Sequence, residues 1–457
     1  MAKKGKPKKR NHKPTKSPLP SNPSTNEEEE KPIPISTLEP EPFLDVLYRF
    51  SVKSLLRCRS LSKSWTALIG YPAFIQKHID FNSSRNQQLI CNSLYDRGRR
   101  RLIAFLSVKG PPIPVLDINL NFTERSNYPR IINFPDFSRK MVLAGSINGI
   151  VCLSHHKEML GQYVALWNPA IRHWKPIALP QSRSWENVSV GLGFDVLTND
   201  FKIICIVPAI ASVDPTEKYK WSRVDIYSAN RESWDDADER GLIPFIPVLY
   251  LEHCKFIVKG VPYWIGIDIQ ARQLKVLGGV DPRTGLFRKV LFPEHVQNEN
   301  TLVHVVNLRN SVVALIHSPG EYPNQMIDLY ELDDNTAKWT RMYRIGPLVL
   351  ETQPLVYKTL RLPQCLITGE IVLEAWSGQI RASDMVYYFC DTNTSRVFRN
   401  SEIEELVPHW HESYSHVESL VCLKGMVQIG KEHIRKKTDP KNWSEYLPQD
   451  LEAALHL

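Results

Sequence analysis

Two hydrophobic rhythms divide the chain. Between residues 43 and 79 apolar side chains recur three and four positions apart, the spacing that lines one face of an α-helix. Beyond residue 85 they alternate with polar residues, and turn formers interrupt them every dozen or so positions, which reads as short β-strands. The first rhythm is not a single helix. Val52, Leu55 and Leu56 share a face, but extending it would carry Arg59, Ser62 and Lys63 into a core. Leu61, Trp65, Leu68 and Ile69 restart the pattern on a shifted phase, so a turn is expected between Leu56 and Leu61. Ser51 can cap the first of these helices and Ser60 or Ser62 the next, because a serine oxygen accepts an orphan backbone N–H. Gly70 stands where a helix end favours a left-handed residue. Pro72 suits the first turn of a further helix carrying Phe74, Ile75, His78 and Ile79. Upstream, Phe43, Val46, Leu47 and Phe50 form another amphipathic turn, whose start Pro40 and Pro42 set near Phe43.

Helices this short are marginal alone. A module this small encloses little core, so apolar surface is left over. Such a surface on a small helical unit marks a helix-to-helix interface. The alternative is a helical cap packed on the main domain.

The alternating part repeats a unit of apolar strand, polar turn and aromatic: VALWNPAIRHWKPI, VDIYSANRESWDD, VLGGVDPRTGLFRKV, IDLYELDDNTAKWTRM and VYYFCDTNTSRVFR. Aligned before the turn, Trp167, Tyr227, Val280, Tyr330 and Phe389 are separated by 60, 53, 50 and 59 residues. Projecting one repeat back reaches VLDINLNF, near residue 115. A period of roughly 50 residues with several strands per unit suggests a propeller of about six blades. A large two-sheet β-sandwich is the alternative. Trp167, Trp174, Trp234, Trp264 and Trp339 are expected to pack within or between blades. Asn148-Gly149 and Asn168-Pro169 are expected to form turns.

The run LEPEPFLDVLYRFSVKSLLRCRSLSKSWTALIGYPAFIQKHI resembles an F-box, carried by Val52-Lys53-Ser54-Leu55-Leu56-Arg57, Arg59, Lys63-Ser64-Trp65, Pro72 and Phe74. Glu39 follows Leu38 where the family has proline, and Ser51 replaces another proline. GSINGIVCL, LWNPAIRHW, VGLGFDVLTNDFKIICIV, KGVPYWI and VESLVCL are similar to the strand signatures of the plant F-box-associated domain, in the same order. The resemblance implies a substrate-recognition subunit of an SCF-type E3 ubiquitin ligase. Its F-box would bind a Skp-type adaptor, and through it a cullin–RING ligase, while the β domain holds a target protein. The implied adaptor-binding set is Leu38, Phe43, Leu47, Val52, Leu55, Leu56, Leu61 and Trp65.

The expected fold class is therefore α+β multidomain, a short helical F-box ahead of an all-β, irregular propeller-like domain. The expected divisions are a basic tail with acidic linker at 1–35, the F-box module at 36–82 and the β domain at 85–430. A partly helical tail follows at 431–457.

Charge sharpens this picture. The formal net charge is +8, and Lys3, Lys4, Lys6, Lys8, Lys9, Arg10, Lys13 and Lys16 account for all of it. The remainder sums to zero, which argues against nucleic acid as partner of the folded part. Lys3 to Arg10 form a nuclear-import candidate, giving an expected location in nucleus and/or cytoplasm. No run approaches the roughly 18 apolar residues of a membrane span, and no membrane partner is expected. The eight cysteines form no C-x-x-C pair and read as buried reduced thiols.

Catalytic signatures are missing. There is no G-x-x-x-x-G-K-[ST] and no G-x-S-x-G. His155-His156 would point to opposite faces of a strand, which argues against joint metal ligation. Asp333-Asp334 reads as a solvated turn. No cofactor is implied, and the chain is expected to be non-catalytic. Two rivals stand beside the ligase reading: a nuclear, nucleic-acid-associated interaction protein using the basic tail, and a propeller hydrolase or small-ligand binder.

Overall fold

A computed structural model describes residues 41–95, 100–107, 113–117, 141–155, 163–180, 188–207, 223–236, 254, 256–268, 274–297, 301, 303–317, 326–345, 357–365, 370–377, 382–389, 394–398 and 409–428. The basic tail, Leu38 and residues 431–457 lie outside them.

Four helices open the described chain: α1 (Glu41–Tyr48), α2 (Val52–Arg59), α3 (Lys63–Ile69) and α4 (Pro72–Ser83). The phase break at Leu56–Leu61 is the α2–α3 turn. Ser51 caps α2 by accepting from Ser54 N–H, and Ser62 caps α3 by accepting from Trp65 N–H. α1 starts at Glu41, two residues earlier than expected. Pro42 falls in its first turn, where the missing N–H would have had no helical partner. Gly70 ends α3 in right-handed geometry at φ −83°, so it serves no left-handed cap.

The β part is a succession of antiparallel sheets rather than two large ones. The first sheet begins with β1 (Gln88–Tyr95), β2 (Arg100–Ser107) and β3 (Ile113–Asp117). The second holds β4 (Met141–Ile147), β5 (Ile150–His155), β6 (Tyr163–Asn168) and β7 (His173–Ala178). The third is β8 (Ser189–Asp195), β9 (Asp200–Val207), β10 (Arg223–Ser228) and β11 (Ser233–Asp236). The fourth is β12 (Phe256–Val258), β13 (Val261–Asp268), β14 (Leu274–Val280) and β15 (Phe287–Leu291). The fifth is β16 (Val303–Leu308), β17 (Ser311–His317), β18 (Ile327–Leu332) and β19 (Trp339–Ile345). The sixth is β20 (Tyr357–Cys365), β21 (Glu370–Ser377), β22 (Ala382–Phe389) and β23 (Thr394–Phe398). The chain then returns: β24 (His409–His416) pairs with β1, and β25 (Val427–Gln428) pairs with the outer edge of β7.

The repeat read from sequence is one strand position. Trp167, Tyr227, Val280, Tyr330 and Phe389 all lie on the third strand of their sheet. The projection to residue 115 lands on β3, the fourth strand of the first sheet, one strand further out than the repeat requires.

The first strands neighbour one another in order, except that β8 meets the second strand of the fourth sheet. β4 lies against β24 and β8, β8 against β13, β12 against β16, β16 against β20, and β20 against β24. Core forms between sheets. One cluster joins the second and third sheets through Cys152, Leu166, Leu192 and Ile203, another joins the fourth and fifth through Leu277, Val290, Val305 and Ala314. Ile204, Val224, Trp264 and Val280 join the third and fourth. Gly191 permits that contact, since a Cβ there would stand 2.6 Å from Trp264 Cζ2.

The repeating aromatics staple neighbours. Trp234 Nε1 donates from β11 to Ala178 O at the end of β7 (2.9 Å), and Trp339 Nε1 donates from β19 to Leu291 O on β15 (3.0 Å). Trp264 Nε1 donates to Ser189 Oγ (2.8 Å), and Trp167 and Trp264 are fully buried. Cys152, Cys205 and Cys254 are buried as expected of packed thiols, but Cys422 is exposed.

Candidate docking surfaces

The helical module is tied down from its inner side. Asn82 Nδ2 on α4 donates to Tyr48 O (3.1 Å) at the end of α1, and His78 Nε2 hydrogen-bonds to Phe50 O (2.9 Å). Burial holds the His78 imidazole below its ordinary pKa, so the ring sits there neutral. Tyr48 packs on Phe74 with centroids 5.1 Å apart. Thr66 Oγ1 donates to Arg59 O (2.7 Å), closing the α2–α3 corner.

This packing sorts seven of the eight residues proposed from sequence, Leu38 lying outside the described residues. Leu47, Val52 and Leu55 are buried and build the module's core. Phe43 and Leu61 are exposed, Leu61 by 71%, while Leu56 and Trp65 are half-buried. Phe43 and Trp65 meet with ring centroids 6.0 Å apart, joining α1 to α3. Val46 (50% exposed), Phe50 and Tyr71 are further exposed apolar side chains of the module that the implied adaptor-binding set leaves out. Helical period already places Val46 beside Phe43 and Phe50 on the upstream turn, a signal the implied set does not use. Lys53, Arg57, Arg59 and Lys63 are exposed on α2 and at the start of α3. The module therefore combines bare apolar side chains with a basic rim.

The return of the chain is held as a strap. Residues 417–428 run from β24 to β25 along the second sheet. Asn168, fully buried, donates through Nδ2 to Ser419 O (3.0 Å) and Val421 O (2.8 Å) and accepts Ala170 N–H at Oδ1 (3.0 Å). It therefore clamps the strap as well as shaping its own turn. Gly149, at φ +80°, lies so close to Ser419 that a Cβ would collide with its Oγ. Lys175 reaches Glu232 and Lys424 O, and Lys424 pairs with Glu232 at 2.7 Å.

Ser146 Oγ and His416 Nδ1 share a hydrogen bond of 2.9 Å between β4 and β24. A serine against a histidine invites a nucleophilic reading. Burial, however, drives the His416 pKa down to about 3, far too weak a base to activate a hydroxyl at neutral pH. His155 ends β5 and His156 lies outside the described residues. Asp333 caps its own turn, accepting Asn335 N–H (2.8 Å), and Asp334 pairs with Lys259 at 3.1 Å. Among the described residues, no group of three His, Cys, Asp or Glu side chains could hold a metal ion, and no helix is long and apolar enough to cross a membrane.

Residues 121–423 match the family model described as F-box associated beta propeller domain. The chain belongs to this family, and is a plant-type F-box protein with an F-box-associated domain. In Arabidopsis thaliana, F-box protein CPR1 is 27% identical over 341 residues, 68% of this chain and 75% of that protein. F-box/LRR-repeat protein At2g43260 is 25% identical over 321 residues, 70% of each chain. A shorter match, 27% identical over 163 residues, covers 35% of this chain and only 38% of another Arabidopsis relative. Among solved structures, AofleA from Arthrobotrys oligospora shares 7% identity over 72% of this chain and 90% of its own, with a TM-score of 0.38. A PL25 ulvan lyase shares 15% over 56% and 69%, with a TM-score of 0.33. Likeness at that level carries no functional weight.

Proposed function

We propose that this chain is the substrate-recognition subunit of an SCF-type E3 ubiquitin ligase. Its helical module docks on a Skp-type adaptor and thereby on a cullin–RING ligase, and its six sheets form a propeller that holds a target protein. The observation that carries the reading is the bare apolar set Phe43, Val46, Phe50, Leu61 and Tyr71 on a module whose inner side is already packed. Exposed apolar side chains gathered on a small unit fit a protein partner. The basic rim fits an adaptor face with acidic side chains around an apolar centre. Family membership and the order of sheets support the propeller. Ubiquitin transfer then follows from holding a target lysine near the charged conjugating enzyme, a gain in effective concentration that asks no catalytic residue of this chain.

The test is a paired substitution. Leu61→Asp with Phe43→Asp should weaken adaptor binding about a thousandfold, taking about 2 kcal/mol for each anchor. Both side chains are exposed, so the fold should survive. Leu55→Asp is the wrong probe, because Leu55 is fully buried and the change would unfold the module. Adaptor co-purifying undiminished with the double variant would end the proposal. The basic run Lys3 to Arg10 is proposed to direct nuclear entry; removing residues 1–16 should shift a fluorescent fusion towards the cytoplasm, and an unmoved distribution would count against it.

A further inference from the structure

Adaptor docking leaves one concave surface without a role. A cleft of about 640 Å³ lies between α4 and the ends of the sheets. Pro72, Ala73 and Gln76 form its α4 wall. The opposite wall comes from equivalent places, the turns between first and second strands in the second to fifth sheets. Asn148, Asn199, Lys259 and Asn310 all take positive φ there, between 50° and 62°, as tight hairpins require.

Three of these turn residues are asparagines from three different sheets, and all three line the cleft. Among the described residues their carboxamides make no hydrogen bond. Asn199 lends only its backbone O to Asn230, and Asn310 only its backbone N–H to Asn307. The charge balance is neutral. Lys259 is tied to Asp334, and burial keeps His416 uncharged at physiological pH. The rim also carries a bare apolar tip. Val196, which lines the cleft, is 67% exposed and its neighbour Leu197 is 72% exposed. Asp195 fixes that tip by accepting Leu197 N–H at Oδ1 (3.0 Å) and Thr198 Oγ1–H at Oδ2 (2.7 Å).

We propose that this cleft binds an uncharged, extended peptide segment bearing a branched apolar side chain, and that the target engages the receptor here. The proposal rests on the receptor reading above and adds where the target sits and what chemistry it shows. A carboxamide offers one acceptor and two donors, complementary to the donor and acceptor of a peptide group. A charged segment would lose its hydration without gaining a counter-charge. The fixed Val196–Leu197 tip supplies apolar contact at little ordering cost. A saccharide fits less well: the one aromatic ring in the lining, Phe194, is buried against Phe201 and offers no open stacking face. Because α4 forms the second wall, the target would sit beside the adaptor-binding module.

The experiment uses the full chain with labelled isoleucine and valine methyl groups, read by NMR. The probe is the blocked peptide acetyl-Val-Gly-Val-amide. Saturable shifts are expected at Ile147, Ile257 and Val196, with the aspartate analogue acetyl-Asp-Gly-Asp-amide binding at least about tenfold more weakly. Asn148→Gly with Asn310→Gly keeps the left-handed turns and removes two carboxamides, so affinity for the neutral peptide should fall about tenfold. Absence of saturable shifts at these methyls overturns the site. So does equal binding of the charged analogue, or maltose binding there in place of the peptide. Adaptor binding is measured on the same asparagine variant. Retained adaptor binding with no peptide shifts removes this site and leaves the receptor reading standing. Adaptor binding that ignores Phe43→Asp/Leu61→Asp removes the receptor reading instead.

Discussion

Asn168 is where one substitution should reveal how the returning strap is held. Its side chain is fully buried and makes four hydrogen bonds: it donates to the strap carbonyls of Ser419 and Val421 and to Ser419 Oγ, and accepts Ala170 N–H. Asn168→Leu keeps the size and deletes all four, leaving three backbone groups unpaired. Each backbone group left unpaired out of water costs about 1–3 kcal/mol. Partial hydration of the half-buried Val421 and Ala170 groups brings the sum to about 3–5 kcal/mol, a large share of the ~5–15 kcal/mol that holds a typical domain. Urea unfolding followed by tryptophan fluorescence measures it, and amide exchange at Val421 should accelerate first. Asn168→Asp adds a sign test. A carboxylate facing two carbonyl oxygens has its folded-state pKa raised above the unfolded value of roughly 3.9. The penalty is therefore least at low pH, where the acid is protonated, and grows as pH rises from about 4 through the folded pKa. A loss below about 1 kcal/mol for Asn168→Leu, or an aspartate variant equally unstable at every pH, would refute the clamp.

Two further changes probe other joints. Gly191→Ala should cost about 1–3 kcal/mol by overpacking, because its Cβ would fall 2.6 Å from Trp264 Cζ2 and 3.0 Å from Cys254 Cβ; an unchanged urea midpoint would mean that the third and fourth sheets are not in firm contact. His416 and His317 are held neutral by burial, with pKa values driven down to about 3 and about 4. Both pKa values lie below the unfolded value, so the folded state is fully favoured above pH ~6.5 and loses stability as pH falls towards the folded values. His416→Gln should remove about 1.4 kcal/mol per pH unit of that slope between pH 6 and 4, and an unchanged slope in urea midpoints would show that His416 does not carry it.

What was legible in the sequence was local. The caps at Ser51 and Ser62 and the phase break at Leu56–Leu61 lie within a few residues of the features they create. The repeat through Trp167 and Tyr227 survives because each sheet repeats the same third strand. Helical period could not separate Leu55, which is buried, from Leu61, which is bare, since both are leucines on apolar faces and Leu61 falls at the corner that Thr66 closes. Pairing of β24 with β1 joins segments some 320 residues apart, Gln88 with His416 at one end, and alternation says nothing about partners. Asn168 read as a turn former because its second duty lies across the sheet, on carbonyls of Ser419 and Val421.

The β24–β1 pairing also orders events on the ribosome. The first sheet lacks its innermost strand until residues 409–416 have been made, whereas the four helices emerge within the first hundred residues. A nascent chain would thus display its helical face while the body behind it is still open. Any premature stop ahead of residue 409 would release a protein that carries all four helices yet lacks the strand that completes its first sheet.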